Sequence, residues 1–267
     1  MNMLLDEKTA IIYGGSGAVG SAAARVFARE GARVHLVGRS EEKLRRTVEA
    51  IAAQGGHAEF AVVDAFDEAA VRAHADAVAA GDGRIDVALN AVGIPHVQGQ
   101  PLEEVSVTDF LHPVTEYAKT NFVTAKAVAP HMRSRHTGVI LTLTTPGSRL
   151  PGIGHLGNAA ACGAVEAFSR VLAGEVGRDG VRVICLRPNA IPESIATSHV
   201  GGVFAAAAAR VGADAEGWLA TMADQGTLLG RLPTLDDVAE YAAFVASDRA
   251  GAMTAAIANL TCGTLAD

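Results

Sequence analysis

Short apolar runs rich in β-branched residues recur along this chain, and between them lie longer stretches with apolar positions every three to four residues. The runs predict strands at Thr9–Tyr13, Arg33–Val37, Glu59–Val63, Val87–Ala91, Val139–Thr144, Arg182–Leu186 and Ala258–Thr261. The intervening stretches predict helices near Ser21–Glu30, Glu41–Gln54, Glu68–Ala80, Val114–Arg133, Ala159–Gly177 and Leu235–Ser247. Continuous rather than alternating strands are buried on both faces, and strands alternating with helices pair in parallel. Right-handed crossovers then give an α/β, doubly wound parallel sheet of about seven strands with helices on both faces, its ligand held at the carboxyl ends of the strands.

No linker, repeat or low-complexity segment divides the pattern, so residues 1–267 read as a single domain. One long stretch, Ile191 to Pro233, falls outside the alternation. It holds an alanine run at Ala205–Ala209, and Trp218. Following a strand that ends over the expected ligand, it reads as a cover for substrate.

The first predicted strand runs into Gly14-Gly15-Ser16-Gly17-Ala18-Val19-Gly20, in which Gly15 to Gly20 fits G-x-G-x-x-G. Glycines there allow a tight turn and let backbone amides approach a pyrophosphate. The helix that follows adds unpaired N–H groups and partial positive charge. Between a strand and a helix the motif reads as a dinucleotide site of Rossmann-like type; the alternative is an ordinary glycine-rich turn.

Composition narrows the partners. A formal charge of −7 and an aromatic content of 4% argue against a nucleic-acid surface. Cys162, Cys185 and Cys262 are odd in number and match neither a zinc spacing nor a disulfide framework, which points to a reducing cytoplasm and no metal. Neither a basic-then-apolar leader nor an apolar run of membrane-spanning length is visible.

Several stretches in order resemble the short-chain dehydrogenase/reductase family. Tyr13 to Gly20 is similar to its T-G-x-x-x-G-x-G turn, with Tyr13 for Thr and Ala18 for the middle Gly. Val63-Asp64 resembles the aspartate that holds adenine, and Asp86 to Gly93 resembles D-x-L-V-N-N-A-G, with Ala91 for the second Asn. Asn121 stands where a helix Asn is expected, and Leu186-Arg187-Pro188-Asn189 is similar to the P-G turn. Gly230-Arg231-Leu232 through Val245-Ala246-Ser247-Asp248 resembles the C-terminal G-R-x…F-L-A-S-D stretch. The resemblance implies a nicotinamide cofactor contacted by Gly14, Ser16, Gly17, Val19 and Gly20 at the turn, and by Asp64, Asn90, Ala91, Gly93 and Pro188 beyond it.

The residue after the second strand separates NAD from NADP, because an acid there binds the free ribose 2′-hydroxyl and repels a 2′-phosphate. Here Gly38 takes that place and Arg39-Ser40 follow. A guanidinium can form charge-assisted bonds to a phosphate, which favours NADP(H) over NAD. Arg39 also reads as a solvated residue ahead of Glu41 and Glu42.

The family's Tyr-x-x-x-Lys pair is absent. The stretch Ala164-Val165-Glu166-Ala167-Phe168-Ser169-Arg170 resembles the family helix and sets the register, so Asn158 takes the Tyr position and Cys162 the Lys position. Thr145 then stands for the family's serine. No tyrosine lies between Tyr117 and Tyr241, and no lysine follows Lys126, so no small shift restores the pair. An amide can donate a hydrogen bond but releases no proton near neutral pH. Thr145 and Asn158 remain candidates to polarise a carbonyl, with Asn121 holding a water and His155 or water as acid. Cys162 reads as a buried thiol rather than a nucleophile, and Thr145 and His155 also read as a plain strand-end and a plain loop residue. Three functions stay open: an oxidoreductase acting on a carbonyl or alcohol, a non-redox cyclase, dehydratase or isomerase, and a silent binding subunit. The resemblance further implies a homotetramer or homodimer built on Val114–Arg133 and Ala159–Gly177, with a monomer as the alternative.

Overall fold

The structure is a computed structural model that describes residues 3–196, 198 and 200–266. Its strands are β1 (Thr9–Tyr13), β2 (Arg33–Gly38), β3 (His57–Val62), β4 (Val87–Asn90), β5 (Gly138–Leu143), β6 (Val181–Pro188) and β7 (Ala256–Leu260). Its helices are α1 (Ala18–Arg29), α2 (Glu41–Ala52), α3 (Glu68–Asp82), α4 (Val107–Ser134), α5 (Leu156–Val176), α6 (Val200–Ala209), α7 (Ala215–Gly226) and α8 (Leu235–Ala246). All strand pairs are parallel, in the order β3-β2-β1-β4-β5-β6-β7. This is the seven-stranded, Rossmann-like α/β sheet expected from the pattern of runs.

Burial on both faces explains why the runs are continuous. In β1, Ala10 and Ile12 pack with Leu36, Leu89 and Leu141 beneath α1 and α8. The intervening Ile11 and Tyr13 pack with Val37, Ala88 and Ile140 beneath α3 and α4. A strand with no wet face has no polar positions to alternate with.

Helix ends depart from the sequence reading in two informative places. Helix α1 begins at Ala18 rather than Ser21, so Gly17 is its N-cap and Gly20 lies within its first turn. Helix α4 begins at Val107, seven residues ahead of the expected Val114 (107 against 114). Pro113 lies inside this helix, although an interior proline removes a backbone donor. The Ser106 side chain nevertheless caps the helix through the Asp109 amide at 3.0 Å, and Pro113 is enclosed one turn further in. The segment 191–233 contains α6 and α7. None of the described helices is long and apolar enough to cross a membrane.

The strand order reverses between β1 and β4, which pair Tyr13 with Asn90 and diverge beyond them. Helices leaving neighbouring strands for opposite faces open a crevice at such a point. That crevice holds the candidate site.

At one edge of the sheet Asp82 of α3 accepts from Arg33 Nη1 at 2.8 Å, from Thr9 Oγ1 at 3.2 Å, and bonds to His35 Nε2 at 2.8 Å. Burial opposes the Asp82 charge, but the His35 and Arg33 bonds outweigh it and hold the carboxyl below its usual range. His74 packs edge-on against His35, with ring centroids 6.4 Å apart, and its buried Nδ1 has no partner among the described residues. Burial first, and the neighbouring His35 second, lower its pKa to about 4. The unfolded chain therefore binds a proton at His74 before the folded one does, so stability falls as pH drops from about 6.5 toward about 4 and is unaffected by this group near neutrality. Urea unfolding should lose roughly 3 kcal/mol across that window, and His74→Gln should flatten most of the slope.

Candidate active site

The cradle forms where β1 turns into α1. Gly14 has φ +76°, and a Cβ there would lie 2.4 Å from the Ala91 carbonyl oxygen at the end of β4. A Cβ on Gly20 would lie 2.3 Å from the Gly14 carbonyl oxygen. Only glycine permits both approaches. Gly17 caps α1 without a side-chain bond, which leaves the first-turn amides of Ala18 and Val19 facing outward with the positive end of the helix. The surface is shaped for a diphosphate. Gly14, Ser16, Gly17 and Val19 line a cavity of about 990 Å³ that runs from this turn along the strand ends.

At one end of the cavity lie Arg39, Ser40, Lys43, Asp64 and Phe66. Ser40 is the N-cap residue of α2, and no helix amide donates to its hydroxyl. Glu41 and Glu42 do not line the cavity; they pair with Arg45 and Arg46 one turn along the helix. Asp64 Oδ1 accepts from the Phe66 amide at 3.1 Å, which shapes the turn that carries both. Gly93, Ala91 and Pro188 line the middle of the same cavity.

The other end brings together three residues distant in sequence. Thr145 follows β5, and Asn158 and Cys162 sit one turn apart on α5. Asn158 Nδ2 donates to Thr145 Oγ1 at 3.4 Å, the Gly147 amide donates to the same oxygen at 3.3 Å, and Cys162 Sγ lies 3.2 Å from it. With its oxygen accepting twice, Thr145 keeps its own proton for the thiol or for a substrate oxygen. Asn158 retains a second N–H. Below them Glu166 Oε1 accepts from Ser148 Oγ at 2.6 Å and lies 3.5 Å from Arg187 Nη1, both charges enclosed. This pair ties α5, β6 and the turn after Thr145 into one frame.

Not every expected site residue reaches the cavity. Gly20 lies beneath the turn. Asn90 donates to Thr124 Oγ1 at 3.1 Å and accepts from the Val92 amide at 3.1 Å, so it joins β4 to α4 and shapes the turn. Asn121 donates to the Tyr117 carbonyl at 2.9 Å and does not line the cavity. His155 does line it, with Nε2 3.2 Å from the Leu150 carbonyl.

Three contributions escaped the sequence reading. Lys43 joins Arg39 because it lies on the first turn of α2, facing the crevice. Tyr117 and His96 line the cavity from α4 and from the loop after β4. A tyrosine one helical turn before Asn121 was the available signal for Tyr117. Above the site α6 and α7 supply an apolar roof in which Phe204 and Trp218 meet at a tilt of 50°, with centroids 5.8 Å apart.

Comparison with known proteins agrees with this geometry. The family model described as enoyl-(acyl carrier protein) reductase matches residues 15–264. The chain is 31% identical to D-threitol dehydrogenase of Mycolicibacterium smegmatis, over 94% of this chain and 90% of that protein. It is 30% identical to the oxidoreductase YxbG of Bacillus subtilis, over 94% and 88%. A 7α-hydroxysteroid dehydrogenase solved with NADH and 7-oxo glycochenodeoxycholic acid superposes with TM-score 0.83 at 26% identity, covering 98% of this chain and 96% of that one. With its sheet, glycine turn and nearly whole length matched, the chain belongs to the short-chain dehydrogenase/reductase family of oxidoreductases.

Proposed function

We propose that the protein is an NADP(H)-dependent oxidoreductase that interconverts a small-molecule carbonyl and its alcohol, with Thr145 and Asn158 holding the substrate oxygen. The observation that carries the reading is one continuous cavity joining a diphosphate cradle to two hydrogen-bond donors. When bound, a nicotinamide supplies or accepts the hydride. The first-turn amides of α1 hold its diphosphate, and Asp64 the adenine. Relatives named for D-threitol and for a 7α-hydroxysteroid support an alcohol or ketone as substrate, and the apolar roof favours a ligand with one greasy face.

Preference for NADP rests on Arg39, Lys43 and the Ser40 hydroxyl gathered at one end of the cavity, with the nearby glutamates neutralised by their own arginines. Three free cysteines fit a reducing cytoplasm. Exposed Leu111 and Phe122 on α4 and Leu156 and Val171 on α5 support self-association through these helices. Loss of the family's phenol and ammonium favours a second reading, in which the pocket serves non-redox chemistry or binding alone.

Nicotinamide absorbance, followed with D-erythrulose, a 7-oxo steroid and a 3-oxoacyl thioester, separates the readings: turnover of NADPH supports the first, and product formed without it supports the second. Arg39→Ala with Lys43→Ala should weaken NADPH about 10- to 100-fold in a titration while leaving NADH within about twofold. Thr145→Val should lower kcat about 10²-fold through loss of a donor to the reacting oxygen. Phe122→Glu should shift the species seen by light scattering toward monomer.

A further inference from the structure

Resting on the carbonyl–alcohol reading above, we propose that Tyr117 of α4 is the catalytic acid of this site, standing in from a different helix for the phenol that α5 lacks. In reduction the carbonyl carbon accepts hydride from the reduced nicotinamide, and the π pair of the C=O bond moves to oxygen. That oxygen takes the proton of the Tyr117 hydroxyl as the O–H bond breaks. The products are the alcohol, oxidised nicotinamide and the Tyr117 phenolate.

Geometry favours this group over its competitors. Tyr117 lines the same cavity as Thr145, Asn158 and His155. Its hydroxyl oxygen accepts from the Ile94 amide at 3.4 Å, and no acceptor for its own proton occurs among the described residues. A phenol with a donor on its oxygen and an uncommitted proton can deliver that proton and have its anion supported. His155 is differently placed. Its Nε2 faces the Leu150 carbonyl, which only accepts, so the proton of a neutral ring is already used there. Asn158 has no proton to release, and the Cys162 thiol lies 3.8 Å from Asn158 Oδ1 and 3.2 Å from Thr145 Oγ1.

Small residues on α5 leave the room. Cys162 takes the place of a long side chain, and both it and the phenol line the cavity. Facing the phenol are Cys162 on α5 and His96 on the loop after β4, with His112 on α4 behind His96. The His96 ring is 6.5 Å from the Tyr117 ring and lines both the main cavity and a second one of about 470 Å³. Its Nδ1 lies 2.7 Å from the Ile94 carbonyl, so one residue holds both rings. Its Nε2 lies 2.9 Å from Gln98 Nε2, so His96 is held in place beside the phenol.

Burial raises the Tyr117 pKa to about 12, against a weaker opposing effect of the Ile94 amide. The phenol therefore stays protonated and ready for reduction across the neutral range. Oxidation of the alcohol needs the phenolate, whose fraction rises tenfold per pH unit below that value.

The test is Tyr117→Phe, which keeps the ring and removes only the hydroxyl. NADPH binding, read by nicotinamide fluorescence, should stay within about twofold, while kcat for carbonyl reduction should fall about 10²- to 10⁴-fold. In the oxidation direction the wild-type rate should rise about tenfold per unit from pH 7 to 9, and the variant should lose that slope. A variant that keeps the wild-type rate and slope, or one that loses NADPH binding along with activity, overturns the assignment. A wild-type protein that binds NADPH but reduces none of the three carbonyl probes overturns the proposed reaction itself, and this role with it.

Discussion

Contact between two backbones at the split in the sheet is the constraint on which the site depends. The Gly14 Cα comes so close to the Ala91 carbonyl that no side chain fits between them. The Ala91 amide bonds to the Tyr13 carbonyl at 2.8 Å, which fixes the two strand ends in register. From that point β1 leads into α1 and β4 into the loop carrying Gly93, Ile94 and His96. The crevice opens because the two chains leave one contact in different directions. A side chain larger than hydrogen at Gly14 would push the strands apart and move the α1 amides with them.

Around Thr145 the side chains of α5 are unusual but remain tied together. Asn158 and Cys162 are shorter than the pair the family resemblance leads one to expect and bring neither a phenol nor a fixed positive charge, yet they form a connected set with Thr145. The capacity to donate a hydrogen bond survives such a change, because an amide and a hydroxyl both donate. Proton release does not survive it at Asn158, whose amide keeps its protons near neutral pH. Glu166 and Arg187 keep α5 in place beneath the substitutions, so loss of the usual acid need not loosen the pocket.

Much of the fold was legible because burial on both sheet faces writes continuous apolar runs, and strands at β1, β2, β4 and β5 fall within a residue or two of their expected positions. Helix boundaries were less legible: α4 begins after the Ser106 cap, a turn and more ahead of the expected start, and carries Pro113 in its interior. Gly17 and Gly20 read as turn residues, although the second already lies in the helix. Within the site, the glycine turn and Arg39 were readable from spacing and residue type, and Thr145 and Asn158 from the family resemblance, whereas Lys43, His96 and Tyr117 were not.

The sequence alone determined the alternation of strands and helices, the position of the glycine turn and the absence of a phenol and an ammonium on α5. These are local properties, written in periodicity and residue identity over a few turns of chain. Tertiary structure decided which distant groups share a cavity: that Tyr117 of α4 and His96 of a loop line it with α5, that α6 and α7 close over the strand ends, and that Asn90 turns away from it to bond α4. Such meetings depend on how helices pack on a twisted sheet, and no spacing along the chain encodes them.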